Sequence, residues 1–204
     1  MNLPLLSSLA LAAQQVVSAP LDESATGTFW FPPQASTIAA ETDWVFYYIY
    51  WISVIFTSII VGVMIFFVLR YRHRKDWDGE KSANHGLALE ITWSVIPFLL
   101  TTVMWWKGFE TFMVGNTVPD NAFTVQVKAS QWTWDFVYPN GLQTKELHLP
   151  SDQPVTFVMQ SKDVIHSFWI PAFRVKKDIV PGRYTKTWAE PTEPGIYTLF
   201  CTEY

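Results

Sequence analysis

Hydrophobic and polar positions fall along this chain in two regimes. From Trp44 to Leu69 no residue is charged, and a run of that length exceeds the roughly 20 apolar residues a bilayer-spanning helix needs. Its first third is crowded with aromatics (Trp44, Phe46, Tyr47, Tyr48, Tyr50, Trp51), as at an interfacial belt, and its far end meets Arg70-Tyr71-Arg72-His73-Arg74-Lys75. Basic residues flanking a span mark its cytoplasmic end. A second apolar stretch, Leu87 to Trp106, is interrupted by Glu90 and Pro97 and closes on Trp105-Trp106-Lys107. It predicts a helix returning to the outside and kinked at Pro97. From about residue 121 the period shortens to two: Phe123–Lys128 and Gln131–Tyr138 alternate, as half-buried strands do. Val155–Met159, Tyr184–Trp188 and Gly195–Phe200 read as further strands, separated by turns at Pro139-Asn140-Gly141, Pro150-Ser151-Asp152 and Pro181-Gly182. Strands with turns at short, regular spacing predict a sandwich or barrel.

The chain therefore divides into 1–19, 20–43, 44–69, 70–86, 87–106 and 121–204. Residues 1–19 hold a short apolar run, Leu3 to Ala13, ending in Val17-Ser18-Ala19; it is too short to span and reads as a secretory signal peptide. Residues 20–43, rich in Pro, Thr, Ala and acids, read as an exposed external segment. Residues 44–69 and 87–106 are the spans, 70–86 the cytoplasmic linker, and both termini are external.

Composition agrees with a membrane protein: 50% hydrophobic, 17% aromatic, 16% charged. The formal net charge of −4 argues against a nucleic-acid partner and suits a cationic one. A single cysteine, Cys201, excludes an internal disulfide and leaves that thiol as a ligand, a reactive group or a buried hydrophobe. A soft sulfur and the imidazole of His166, both on β-type segments, suit copper or zinc; the bland alternative for His166 is a hydrogen-bonded buried histidine. Trp132 and Trp134, two apart on a strand, would share a face, and core packing is the simplest account of both. Glu90 is ionisable inside a span, which marks a functional site unless its carboxylate snorkels to the interface. His73 belongs to a solvated basic face, and His85 and His148 to surface or linker. No nucleophile triad, phosphate loop or zinc spacing is present.

Several fragments in order give a family resemblance: the two-helix hairpin; Leu89-Glu90-Ile91-Thr92-Trp93 with Ile96-Pro97; Gln131-Trp132-Thr133-Trp134; Asp163-Val164-Ile165-His166-Ser167; Lys177-Asp178-Ile179-Val180-Pro181-Gly182-Arg183; Pro194-Gly195-Ile196-Tyr197; and Cys201-Thr202-Glu203. From about Trp44 to Tyr204 the chain resembles subunit II of the haem-copper oxidases, specifically of cytochrome c oxidase. The resemblance implies a membrane α + β protein, a two-helix transmembrane hairpin followed by a cupredoxin-like β-barrel or sandwich. It also implies a binuclear copper A centre, with His166 as one ligand, Cys201 as the first bridging thiolate and Glu203 offering its carbonyl. The family's loop runs Cys-x-Glu-x-Cys-x-x-x-His-x-x-Met, so at most three of six ligands fall within 1–204. The expectation is of a copper loop, and a sheet-closing segment, that belong to a longer protein.

By the same resemblance Trp132 takes up the electron from cytochrome c while Trp134 packs, and Asp135 and Asp163 attract the basic haem edge of cytochrome c. Glu90 stands at the cytoplasmic mouth of a proton pathway, where a partly buried carboxylate can hold and release a proton. The Glu203 side chain reaches a magnesium ion at the subunit I interface, a hard cation that suits a carboxylate, and Lys177, Asp178 and Arg183 border a water route or are ordinary loop charges. The implied partners are subunit I and subunit III, cytochrome c and the lipid bilayer of a bacterial inner membrane. This chain would hold no haem. Two rival readings remain: subunit II of a quinol oxidase, which lacks copper and against which His166, Cys201, Glu203 and Trp132 speak, and a membrane-anchored cupredoxin-type copper carrier, against which Glu90 in a helical hairpin speaks.

Overall fold

The computed structural model describes residues 27–72 and 85–203. The signal-peptide expectation for 1–19, most of the linker and His73 lie outside them. Two compact units result, one of residues 43–110 and one that combines the described residues up to Thr42 with those from Thr111 onward.

The first unit is the helix pair. Helix α1 runs Ala39–Arg70 and α2 runs Leu87–Asn116. Both are long and apolar enough to cross a membrane, so the two predicted apolar helices are present. Each helix outruns its apolar stretch, α1 by five residues at its start and α2 by ten at its end. Backbone hydrogen bonding does not stop where hydropathy does, and Lys107–Glu110 (2.8 Å, i,i+3) supports the extension. The pair is antiparallel: Tyr48 Oη donates to Leu100 O (3.1 Å), and Lys107 Nζ lies 5.9 Å from the Trp44 ring centroid. Helix α2 passes through Pro97, and the hydroxyls of Thr101 and Thr102 donate to the carbonyls of Pro97 and Phe98.

The second unit is a two-sheet β domain. Its strands are β1 (Phe123–Ser130), β2 (Thr133–Val137), β3 (Gln143–Thr144), β4 (Val155–Ser161), β5 (His166–Ile170), β6 (Val175–Ile179), β7 (Thr185–Ala189) and β8 (Phe200–Cys201). One sheet has the order β3-β2-β1-β4-β7, the other β6-β5-β8. Alternation on β1 sends Val125, Val127 and Ala129 inward, where they meet Phe136, Phe157, Met159, Phe168, Ile170, Phe173 and Ile179 between the sheets. Strand β1 pairs antiparallel with β2 but parallel with β4, in the register Ala129↔Ser161. The loops after β1 and β4 therefore leave from the same end of the domain.

Three expectations about local structure change. The segment before α1 is not simply exposed: Ala35 and Ser36 are buried, Ser36 bridges to Pro191, and its hydroxyl donates to Phe173 O (2.8 Å). Short side chains let that segment lie against the domain, which composition alone does not reveal. Gln131 and Trp132 form the turn between β1 and β2 and are not strand residues, so Trp132 and Trp134 do not share a face. Of Gly195–Phe200 only Phe200 is in a strand, and β6 was not anticipated. The turn at Pro181-Gly182 is as expected, with Gly182 at φ 78°, a conformation that glycine adopts without a Cβ penalty.

Candidate metal centre

The site assembles where β5 and β8 pair. Antiparallel register sets Phe168 opposite Cys201 and Trp169 opposite Phe200, which brings the side chain of Cys201 beside that of His166. Cys201 Sγ lies 4.0 Å from His166 Nδ1, and the Ser167 backbone N–H donates to the same sulfur at 3.5 Å. His166 is 7% exposed. Its other nitrogen, Nε2, lies 2.8 Å from Asp163 Oδ1. An ionised carboxylate only accepts, so the proton of the neutral ring belongs on Nε2 and the Nδ1 lone pair faces the thiol. Metal-ligating histidines are commonly oriented in this way, by a carboxylate on the nitrogen away from the metal.

Asp163 is held by more than His166. Its Oδ2 accepts the Gln131 backbone N–H (2.7 Å), and its Oδ1 accepts its neighbour's, that of Val164 (2.8 Å). The Ser161 hydroxyl closes the turn by donating to Val164 O and accepting from Asp163 N. The Gln131 amide and then the His166 ring stabilise the carboxylate and hold its pKa well below the usual range. Burial pulls the His166 pKa down, but Asp163 and Cys201 together outweigh burial and the net shift is upward.

Aromatic packing fixes the ring from behind. Trp134 meets His166 edge-on at 6.0 Å and Phe168 edge-on at 6.0 Å, and Phe168 packs on Phe157 at 4.9 Å. Trp132, by contrast, is 78% exposed. Asp135 lies on β2 between two lysines, Lys145 Nζ at 2.5 Å and Lys162 Nζ at 3.4 Å. Its pKa is lowered, chiefly by the bond from Lys145. Glu203 is exposed, two residues beyond Cys201. Asp178 accepts from the Ser167 hydroxyl (2.7 Å). Glu90 occupies the first turn of α2 with His85 Nδ1 3.7 Å from its carboxylate, a neighbour that spacing alone did not single out. His148 is half-exposed and 3.9 Å from Glu146.

The donor pair suits a soft metal. Thiolate and imidazole bonds of about 2.3 and 2.0 Å together exceed the 4.0 Å between Sγ and Nδ1, so one ion can touch both. A binuclear centre requires further ligands: among the described residues no group of three His, Cys, Asp or Glu side chains is placed to hold a metal ion. His166 and Cys201 supply two soft-metal donors and no more.

A hairpin of apolar helices joined to a two-sheet domain, with a thiol and an oriented imidazole converging at one edge, defines a membrane-anchored cupredoxin-like protein. Comparison with known proteins narrows the class. The transmembrane domain model of cytochrome c oxidase subunit II matches residues 24–109, and the periplasmic domain model of the same subunit matches residues 142–204. "Cytochrome c oxidase subunit 2" of Alkalihalophilus pseudofirmus is 36% identical over 156 residues, covering 72% of this chain and 46% of that protein. That of Synechocystis sp. is 29% identical over 221 residues, covering 84% of this chain and 67% of that protein. Among solved structures, the periplasmic domain of subunit II of cytochrome oxidase (CoxB) of Bradyrhizobium japonicum is 27% identical with a TM-score of 0.41, covering 43% of this chain and 77% of that one. This chain belongs to the cytochrome c oxidase subunit II family. The match to the Alkalihalophilus relative spans less than half of that protein's length.

Proposed function

We propose that this chain is the electron-accepting subunit of a respiratory cytochrome c oxidase, taking electrons from cytochrome c and delivering them to a haem-bearing subunit I for oxygen reduction coupled to proton pumping. The observation that carries the reading is the convergence of His166 Nδ1 on Cys201 Sγ, with Nε2 tied to Asp163. A copper centre bound there would supply a one-electron store. His166 and Cys201 would be two of its ligands, with the Glu203 carbonyl a third and the Glu203 carboxylate reserved for magnesium at the subunit I interface.

The remaining residues have roles set by their place. Trp132, exposed at the loop after β1, offers an aromatic face to a docking protein and is the point of electron uptake. Asp135 and Asp163 add negative charge to the same end of the domain, although Lys145 and Lys162 offset much of that from Asp135; complementary charge raises encounter rates. Glu90, at the start of α2, receives protons for the pathway into subunit I. Subunit III, the bacterial inner membrane and external termini complete the assignment. The quinol-oxidase alternative leaves the His166–Cys201 pair without a task.

The test is rapid mixing of the intact oxidase containing this chain with reduced cytochrome c or with a quinol. The reading expects reduction by cytochrome c, lost in Cys201→Ser. Reduction by quinol alone, unaffected by Cys201→Ser, would select the alternative.

A further inference from the structure

We infer that Asp163 is a positioning residue that ties the Trp132 loop to the His166 ring, so that one carboxylate aligns the point of electron uptake with the metal ligand. This rests on the functional reading above and adds a residue role to it. Parallel pairing of β1 with β4 sends the loops after both strands out at one end, and Lys162 N donating to Ala129 O (3.0 Å) keeps them side by side. Asp163 bridges them. Its Oδ2 accepts from Gln131, the residue whose carbonyl forms the peptide bond to Trp132, and its Oδ1 accepts from His166 Nε2. A continuous bonded line therefore runs from the Gln131–Trp132 segment through Asp163 to the ring whose far nitrogen faces Cys201 Sγ.

The carboxylate is chemically required for both links. Gln131 N–H, Val164 N–H and His166 Nε2–H are all donors, and they approach both oxygens. An asparagine has one acceptor oxygen and must turn its NH2 toward donors on the other side. Asp163→Asn therefore keeps the shape but either loses the Trp132-loop link or turns its NH2 to His166 Nε2, which must then accept and carry the ring proton on Nδ1 toward Cys201; Asp163→Ala breaks both links. A carboxylate serving only as a docking charge would carry no such demand on its two oxygens.

Two measurements on wild type, Asp163→Asn and Asp163→Ala decide the matter. In the full-length metal-free chain in detergent, amide hydrogen exchange at Gln131 is expected to be protected in wild type and about 10-fold or more faster in Asp163→Ala. In the intact oxidase, the maximal rate of reduction by cytochrome c is expected to fall about 10–100-fold in both variants, the usual cost of losing a residue behind a metal ligand, in addition to the change in KM and ionic-strength dependence that loss of its charge brings. A changed KM and salt dependence with an intact maximal rate would overturn the inference in favour of a docking charge, and so would unchanged exchange at Gln131. If the wild-type oxidase is not reduced by cytochrome c at all, the functional reading fails and this inference fails with it. If wild type is reduced and the variants keep its maximal rate, this inference alone fails.

Discussion

Phe168→Leu is expected to loosen the floor of the site. Phe168 is fully buried between the sheets, with its ring on Phe157 at 4.9 Å and edge-on to Trp134 at 6.0 Å. Leucine restores most of the apolar burial but neither ring contact. Each aromatic pair contributes about 0.5–1.5 kcal/mol beyond its buried area, so the two together give about 1–3 kcal/mol. The volume change adds under about 1.5 kcal/mol, for a total near 2–4 kcal/mol. Urea unfolding of the full-length chain in detergent, followed by tryptophan fluorescence, reports this. With a slope near 2 kcal/mol/M, the midpoint of the β-domain transition is expected to drop by about 1–2 M with the slope unchanged. Because Trp134 also rests on His166, the Trp134 emission is expected to shift toward that of an exposed indole. A midpoint within about 0.3 M of wild type would refute the packing argument, since that change corresponds to less than 1 kcal/mol.

Trp132→Ala is expected to leave the urea midpoint unchanged within experimental error, because the side chain is 78% exposed, while slowing electron uptake from cytochrome c; a large stability loss would make it a packing residue. Asp135→Asn is expected to remove a small stabilisation by Lys145 and Lys162, at most about 1 kcal/mol at such partly exposed pairs. Since the folded-state pKa of Asp135 is depressed, chiefly by Lys145, that contribution is present above the ordinary carboxylate value and lost as pH falls through the folded value, so wild type and variant should converge in stability on acidification. Tyr138→Phe is expected to cost about 1–2 kcal/mol in the same unfolding assay, because the hydroxyl both donates to His148 O (3.1 Å) and accepts from His148 N (2.7 Å); no change would mean that water replaces it.

Much of the architecture is legible in the order of residues because the signals are one-dimensional. The absence of charge from Trp44 to Leu69 and the period-two pattern of Phe123–Lys128 each depend on neighbours in sequence, and both became the expected elements. The positions that misled depend on partners far along the chain. Gln131 and Trp132 extend an alternating pattern, yet they form a turn whose amide is bonded across 32 residues to Asp163. Ala35 and Ser36 fall in a segment that reads as exposed, yet they are buried by residues more than a hundred positions away. The site shows the same division. The residue types of His166 and Cys201 already suggested copper or zinc, but their approach depends on the register of β5 with the two-residue strand β8. The Asp163-x-x-His166 spacing is a signal for the tautomer, since residues three apart around a turn can meet; without the turn built by Ser161 Asp163 reads as the docking charge the resemblance implies. Glu90 was legible as an acid at a span, whereas its neighbour His85 was not.

The central claim is that His166 and Cys201 hold copper that cytochrome c reduces. Electron paramagnetic resonance of the oxidised, intact oxidase containing this chain tests it most directly, comparing wild type with His166→Ala and Cys201→Ser. A copper signal in wild type that reduced cytochrome c abolishes, and that both variants lack, is the predicted result. A wild-type copper signal that survives in Cys201→Ser, or no copper in this subunit at all, would contradict it.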